Sequence, residues 1–273
     1  MRQHAEPLIV RSDIVLRPDP IHFKDDDMNE CWLQELLYSQ PSLLPVEEIE
    51  PAFTPLIPLC RELVTEAGHV DLLCVSPNGL ITIVETKLWR NPQARREVVA
   101  QTIDYASAIH GWSYEELEES ITRARAEAGF SLFDHVRLHS AEDGLTEPVF
   151  VDAVSRCLQD ARFLLIIAGD GIREGAERMA AFLTNPQMHY TLALCEIACY
   201  QLPEGILVIP RTTARTHEVE RAVVRIVRDE ASGIDLDISF RAVATPPAHS
   251  RRRLSTEAFF AALEDATNAE VVQ

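Results

Sequence analysis

The segment ITIVETK sets a carboxylate and an amine two residues apart, at Glu85 and Lys87, in a run whose composition favours a β-strand. Side chains of a strand alternate between its faces. Ile81, Ile83, Glu85 and Lys87 therefore share one side, and Thr82, Val84 and Thr86 the other. Glu85 and Lys87 project together, roughly 7 Å apart along the chain at ~3.3 Å per residue. Upstream, GHVDLLCVS is a second β-rich run, joined to the first through Pro77, Asn78 and Gly79. Asn-Gly is a strong hairpin signal. Counting back across that turn brings positions near Asp71 opposite positions near Glu85, with His69 on the same face by alternation.

Two carboxylates and an ammonium at one end of a hairpin are the parts that hydrolysis of a phosphodiester calls for. Hard oxygen ligands hold Mg²⁺ or Mn²⁺, and Mg²⁺ takes few protein ligands and keeps its waters. Such an ion polarises a phosphoryl oxygen and lowers the pKa of a bound water. A lysine beside it positions or deprotonates the attacking water, or stabilises the charge that develops. Arginine serves poorly as a base, because its pKa above ~12 keeps it charged. The composition adds weight here. Of the 25 basic residues only Lys24 and Lys87 are lysine. Each residue also has an ordinary reading: Asp71 as a hairpin surface residue, Glu85 with Lys87 as a strand-end salt bridge worth ~0–1 kcal/mol if exposed. Asp71 nevertheless sits inside the apolar run VDLLCV, where an unpaired carboxylate is costly.

The elements that must position these groups are legible around them. Residues 7–17 read as one or two short strands, and residues 25–28 as an acidic entry to a helix. In ECWLQELLYSQPSLLP, Trp32, Leu33, Leu36 and Leu37 recur at helical spacing, and Pro41 closes the helix. FTPLIPLC is a strand entry weakened by two prolines. After the hairpin, residues 92–109 carry Val98, Val99, Thr102, Tyr105 and Ala106 at helical spacing, ended by Gly111. Residues 112–160 are polar and helix-prone. ARFLLIIAGD reads as a buried strand, GIREGAERMAAFLTN as an amphipathic helix, and YTLALCEIACYQL and GILVIPR as strands. Beyond Arg211, RAVVRIV is expected to be helical, IDLDISF a strand and STEAFFAALEDA a short helix with Ser255 as its N-cap. The order predicts an α/β fold with a central sheet flanked by helices.

In this order and element context the chain resembles the PD-(D/E)xK nuclease superfamily. The resemblance covers roughly residues 28–110, and residues 160–210 more loosely. Val70 stands before Asp71 where the motif name has proline, a departure common within the superfamily. The resemblance implies a restriction-endonuclease-like mixed central sheet flanked by helices, with a helical insertion and a C-terminal extension. It divides the chain into an N-terminal strand segment at 1–27, a core at 28–210 with its insertion at 112–160, and an extension at 211–273. Asp71, Glu85 and the backbone carbonyl of Thr86 would bind metal, and Lys87 would be catalytic. The first helix often supplies a glutamate, carried onto Glu30 with Glu35 the competitor. Gln101 and Tyr105, one helical turn apart, would orient water or phosphate. The implied activity is metal-dependent cleavage of nucleic acid, DNA ahead of RNA; whether two copies pair as a homodimer to cut both strands is left open by the sequence. The alternative is a nuclease-fold subunit that binds or scaffolds without catalysis.

The composition bounds this reading. A net charge of −18 runs against broad phosphate affinity, although binding concerns one face and not the whole surface. The basic stretches RTTARTHEVERAVVRIVR and HSRRRL are either a phosphate-facing stripe or solvated faces. The six cysteines form no CxxC, and Cys195 with Cys199 read as small buried hydrophobes rather than ligands. No run reaches the ~18 apolar residues of a membrane span, and the first residues lack the pattern of a secretory signal. The expected location is the cytoplasm. No GxSxG, Walker loop or HExxH offers another chemistry.

Overall fold

In the computed structural model the described residues are 7–11, 14–23, 28–88, 94–140, 144–170 and 190–215, with two further strands at 222–229 and 233–240. The sheet grows from a three-stranded antiparallel meander: β4 (Ile57–Thr65), β5 (Gly68–Val75) and β6 (Ile81–Leu88). The Asn-Gly turn forms as the sequence predicts. Gly79 N donates to Ser76 O and Ser76 N to Leu80 O, each at 2.9 Å. Gly79 has φ +74°, a conformation that a residue bearing Cβ adopts only at a cost. A methyl there would also meet Ala153 Cβ and Val154 N at 2.8 Å. The turn and the helix behind it fit only around glycine.

The strand entry at FTPLIPLC runs further than its prolines suggest, through Thr65, and a two-residue turn at Glu66 and Ala67 leads into β5. The register shifts between Pro58 and Cys60, which is where a residue without an N–H is tolerated. β7 (Leu164–Asp170) lies parallel to β6, and β8 (Thr191–Leu202) parallel to β7. Leu164 to Ala168 are all fully buried, as a parallel strand covered on both faces requires. β9 (Gly205–Arg215) pairs antiparallel with β8 along Ala193 to Leu202. β3 (Asp19–Ile21) must therefore use the other edge of β8, at Cys199–Gln201, past the point where β7 stops pairing at Glu196. The seven strands run β3-β8-β7-β6-β5-β4, with β9 on β8. β1 (Ile9–Arg11) and β2 (Ile14–Leu16) form a separate hairpin, matching the short strands expected there.

Helices cover this sheet. α1 (Glu30–Ser39) starts at Asn29, whose side chain accepts Trp32 N at 3.0 Å, and packs on β4, β5 and β6. A short α2 (Val46–Ile49) follows. The parallel step from β6 to β7 needs a crossover, which begins with α3 (Ala94–Ile109) against β4 to β7. It continues through α4 (Tyr114–Arg125), α5 (Leu132–His139) and α6 (Glu147–Gln159), the helix-prone stretch of the sequence. α4 opens on a reciprocal capping box between Ser113 and Glu116. The protein is thus a mixed α/β fold with a mixed central sheet flanked by helices.

The chain falls into two compact units, Met1–Glu218 and Val219–Gln273. β9 runs through the expected boundary at residue 211. In the second unit the expectation of a helix at RAVVRIV is corrected: Ala222–Asp229 is a strand, β10, paired antiparallel with β11 (Gly233–Phe240). Valine and isoleucine restrict χ1 and favour a pleated strand, and IDLDISF supplies a partner in register from Ala222↔Phe240 to Asp229↔Gly233. The strand at IDLDISF is as expected. The acidic helix entry at 25–28, save Met28, the helix at GIREGAERMAAFLTN and the helix at STEAFFAALEDA lie outside the described residues. Among the described residues, no helix is long and apolar enough to cross a membrane.

Candidate active site

The paired register of β5 and β6 ends at Leu72↔Val84, and the next step brings Asp71 opposite Glu85. There the ladder changes character. Asp71 Oδ2 accepts the Thr86 amide at 2.7 Å and the Thr86 hydroxyl at 2.6 Å. A side chain thus takes an amide of β6 just past the last paired position, and it fixes Asp71 against the E-x-K segment. Burial is the main force raising the Asp71 carboxyl above its usual range, opposed by the two bonds from Thr86.

Glu85 is the unusual group. It is 3% exposed, and its Oε2 has no hydrogen-bond partner among the described residues. Burial pushes its carboxyl up to about 9; Asp71, Glu30 and Glu62 add to the rise, and Lys87 opposes it. With no divalent cation bound, a carboxyl raised this far keeps its proton at neutral pH even beside Lys87. A buried unpartnered acid is expensive to keep charged, and protonation is its usual escape.

Lys87 stands next along the same face. Its Nζ lies 3.2 Å from Glu30 Oε1 and 3.3 Å from Oε2, and Leu88 N donates to Glu30 Oε1 at 3.0 Å. Glu30 is the first residue of α1, so the pair ties the start of that helix to the end of β6. Of Glu30 and Glu35, Glu30 is the one that lies against Lys87. Glu35 faces Arg61 in an ion pair and accepts from the Ser39 hydroxyl, away from Lys87.

Gln101 and Tyr105 meet as expected one turn apart on α3, with the amide of Gln101 donating to the Tyr105 hydroxyl. Tyr105 is 1% exposed, and a Cβ at Gly68 would come within 3.3 Å of its ring. Burial raises its hydroxyl pKa, and Glu85, Asp71 and Glu62 contribute, so the phenol lies within electrostatic reach of all three acids. Thr86 is buried and holds Asp71 with both its amide and its hydroxyl.

Glu62 is the residue that sequence reasoning missed. Arg61 pairs with Leu72 and Leu63 with Val70, so Glu62 falls opposite Asp71. Glu62, Asp71 and Glu85 form one cross-strand row of acids. Glu62 has φ +52°, unusual for a residue bearing Cβ and of a kind that concentrates at functional sites. It is held by the amide of buried Gln34 at 2.6 Å, and its Oε2 lies 3.5 Å from His69 Nδ1. His69 thus touches the acidic row through Glu62. Counting back across the turn at Glu66 and Ala67 reaches residue 62 from Asp71, but that turn carries no hairpin signature in the sequence.

Cys195 and Cys199 are free and buried, and burial pushes the Cys195 thiol up to about 12, as suits small apolar residues rather than ligands. Among the described residues, no group of three His, Cys, Asp or Glu is set as a ready metal cage. Comparison with protein-family models, curated proteins and solved structures finds no match to this chain.

Proposed function

We propose that this chain is a metal-dependent nuclease of the PD-(D/E)xK kind, built on a restriction-endonuclease-like core and hydrolysing phosphodiester bonds in nucleic acid, DNA first. The observation that carries the proposal is the oxygen of Glu85 that is buried with no partner among the described residues, with Asp71 opposite it by strand register and Lys87 two residues on. With a divalent cation bound there, Glu85 would ionise and its repulsion from Asp71 would be offset. The donors fit Mg²⁺ or Mn²⁺, because every candidate is a hard oxygen. Asp71, Glu85 and the carbonyl of Thr86 would hold the ion. Mg²⁺ binds through one or two carboxylates and keeps waters and substrate oxygens, so Asp71 and Glu85 would suffice as its carboxylate ligands. When bound, the ion supplies Lewis acidity and an activated water.

The rest is the work of the chain. Lys87 presents its ammonium to the attacking water and to the charge developing on phosphate. Glu30 fixes that ammonium through both oxygens and would join the ion only by releasing Lys87 or the Leu88 amide. Asp71 locks Thr86, and with it the direction of the E-x-K strand. Gln101 and Tyr105 hold each other at the edge of the acids, where they would orient water or phosphate.

The test is a nicking assay on single- and double-stranded DNA and RNA with Mg²⁺ or Mn²⁺, and Lys87→Ala as control. Metal-dependent cleavage lost in the variant is the expected result. The scaffolding alternative draws on the acidity of the chain. It wins if the protein binds Mn²⁺ yet leaves every polymer intact.

A further inference from the structure

We propose that Arg211, held in place by Glu196, grips a backbone phosphate of the substrate strand a short distance from the reacting centre. The inference rests on the nuclease reading and adds where its substrate is held. Cross-strand register carries it. Lys87 pairs with Gly169, Gly169 with Glu196, and Glu196 with Arg211. Residues paired across strands project to one face. Lys87, Glu196 and Arg211 therefore lie on the face that holds Glu85, in the row next to the acids. At ~4.8 Å between strands, three steps separate the backbones of Lys87 and Arg211 by about 14 Å. Gly169 puts no side chain between them. The row lies at the carboxyl ends of parallel strands β6 and β7, the side on which open α/β sheets bind ligands.

The chemistry of the pair points to an anion. Arg211 Nη2 lies 3.1 Å from Glu196 Oε2, both side chains are partly exposed, and Arg211 Nε is buried with no partner among the described residues. A guanidinium carries five N–H donors in a fixed fork. Glu196 occupies part of that fork and leaves a donor unsatisfied, so among the described residues the pair is incomplete. A phosphate takes two parallel N–H donors of arginine, and turning outward onto one would satisfy the buried N–H. Glu196 here is a positioning residue. It neutralises and aims Arg211 until a phosphate competes for it.

Opposite responses of the two partners test this. Binding of fluorescent single-stranded DNA and RNA oligonucleotides is followed by polarisation, in the full chain carrying Lys87→Ala so that no substrate is cut. Adding Arg211→Ala should weaken binding about 10-fold and reduce the slope of log K against log salt by roughly 0.7, the loss of one phosphate contact to a single strand. Adding Glu196→Gln should tighten binding several-fold by releasing the guanidinium. A purely structural ion pair would weaken binding in both variants, and that result, or no change in both, overturns the proposal. If Arg211→Ala does not fold, Glu196→Gln decides alone, since tightening supports the proposal and anything else overturns it. If the parent binds neither polymer and the wild-type chain cleaves neither, the nuclease reading falls as well. If the wild type cleaves and the two variants bind as the parent does, only the Arg211 assignment falls.

Discussion

The two ends of the β5–β6 hairpin are built from the same pair of strands and satisfy their polar groups in contrary ways. At the turn end, Ser76 and Gly79 close a complete backbone hydrogen-bond pattern, and the turn packs against α6. At the open end, Asp71 reaches across to the Thr86 amide, Glu85 buries an oxygen that has no partner among the described residues, and Lys87 is pulled onto Glu30 from another element. The apolar pair Leu73 and Ile83 joins the ends. The turn end fixes register. The open end gathers acids where burial opposes their charge, the kind of environment that is a candidate for function.

Substitutions at the two ends should separate cleavage from stability. The largest effect expected is on catalysis: Lys87→Ala lowers metal-dependent cleavage by about 10²–10⁴-fold, the range for loss of a positioned acid, base or charge stabiliser. Its thermal melt should move little, because Lys87 is partly exposed and its pair contributes modestly. Equal loss of stability and activity would erase the contrast.

Glu85→Gln comes next, read through pH. In the metal-free chain the folded carboxyl titrates at about 9, above its ordinary value of 4.5. The folded state thus holds a proton that the unfolded state gives up as pH rises. Stability is fully present below about 4.5 and is lost progressively up to about 9. The variant should match the wild type at pH 4, be more stable at pH 8 by an amount on the order of several kcal/mol, and show a flatter profile. Denaturant unfolding across pH, without divalent ions, measures it; parallel profiles for the two proteins would count against a buried proton at Glu85.

At the turn end, Gly79→Ala should cost about 1–3 kcal/mol of stability from its positive φ and its collision with α6, with cleavage at low temperature unchanged. A variant that folds normally but loses cleavage would show the ends to be coupled. The smallest effect belongs to Glu35→Ala. Its exposed pair with Arg61 is worth about 0–1 kcal/mol, and cleavage should be untouched, whereas Glu30→Ala should impair it by freeing Lys87.

What the sequence made legible follows the same division. Alternation in ITIVETK and the Asn-Gly turn locate Asp71, Glu85 and Lys87, because a period of two and a strong turn fix which side chains share a face. Glu62 stayed hidden. Prolines at 55 and 58 obscured the strand, and Glu66-Ala67 is not a signature turn, so the second hairpin had no local marker. Glu30 and Glu35 could not be separated by spacing on one helix; the docking of α1 against the end of β6 decides between them. RAVVRIV carries a pattern that suits a helix or a strand, and its pairing with IDLDISF is a contact that no local window displays.

The proposed metal site turns on one buried acid, Glu85. Calorimetric titration of Mn²⁺ into the full chain at pH 7.5, run in buffers of different ionisation enthalpy, reads binding and proton release together. The account predicts saturable binding accompanied by release of up to one proton in the wild type, with both greatly reduced in Glu85→Gln. Binding of equal strength in Glu85→Gln, or none in the wild type, would contradict it.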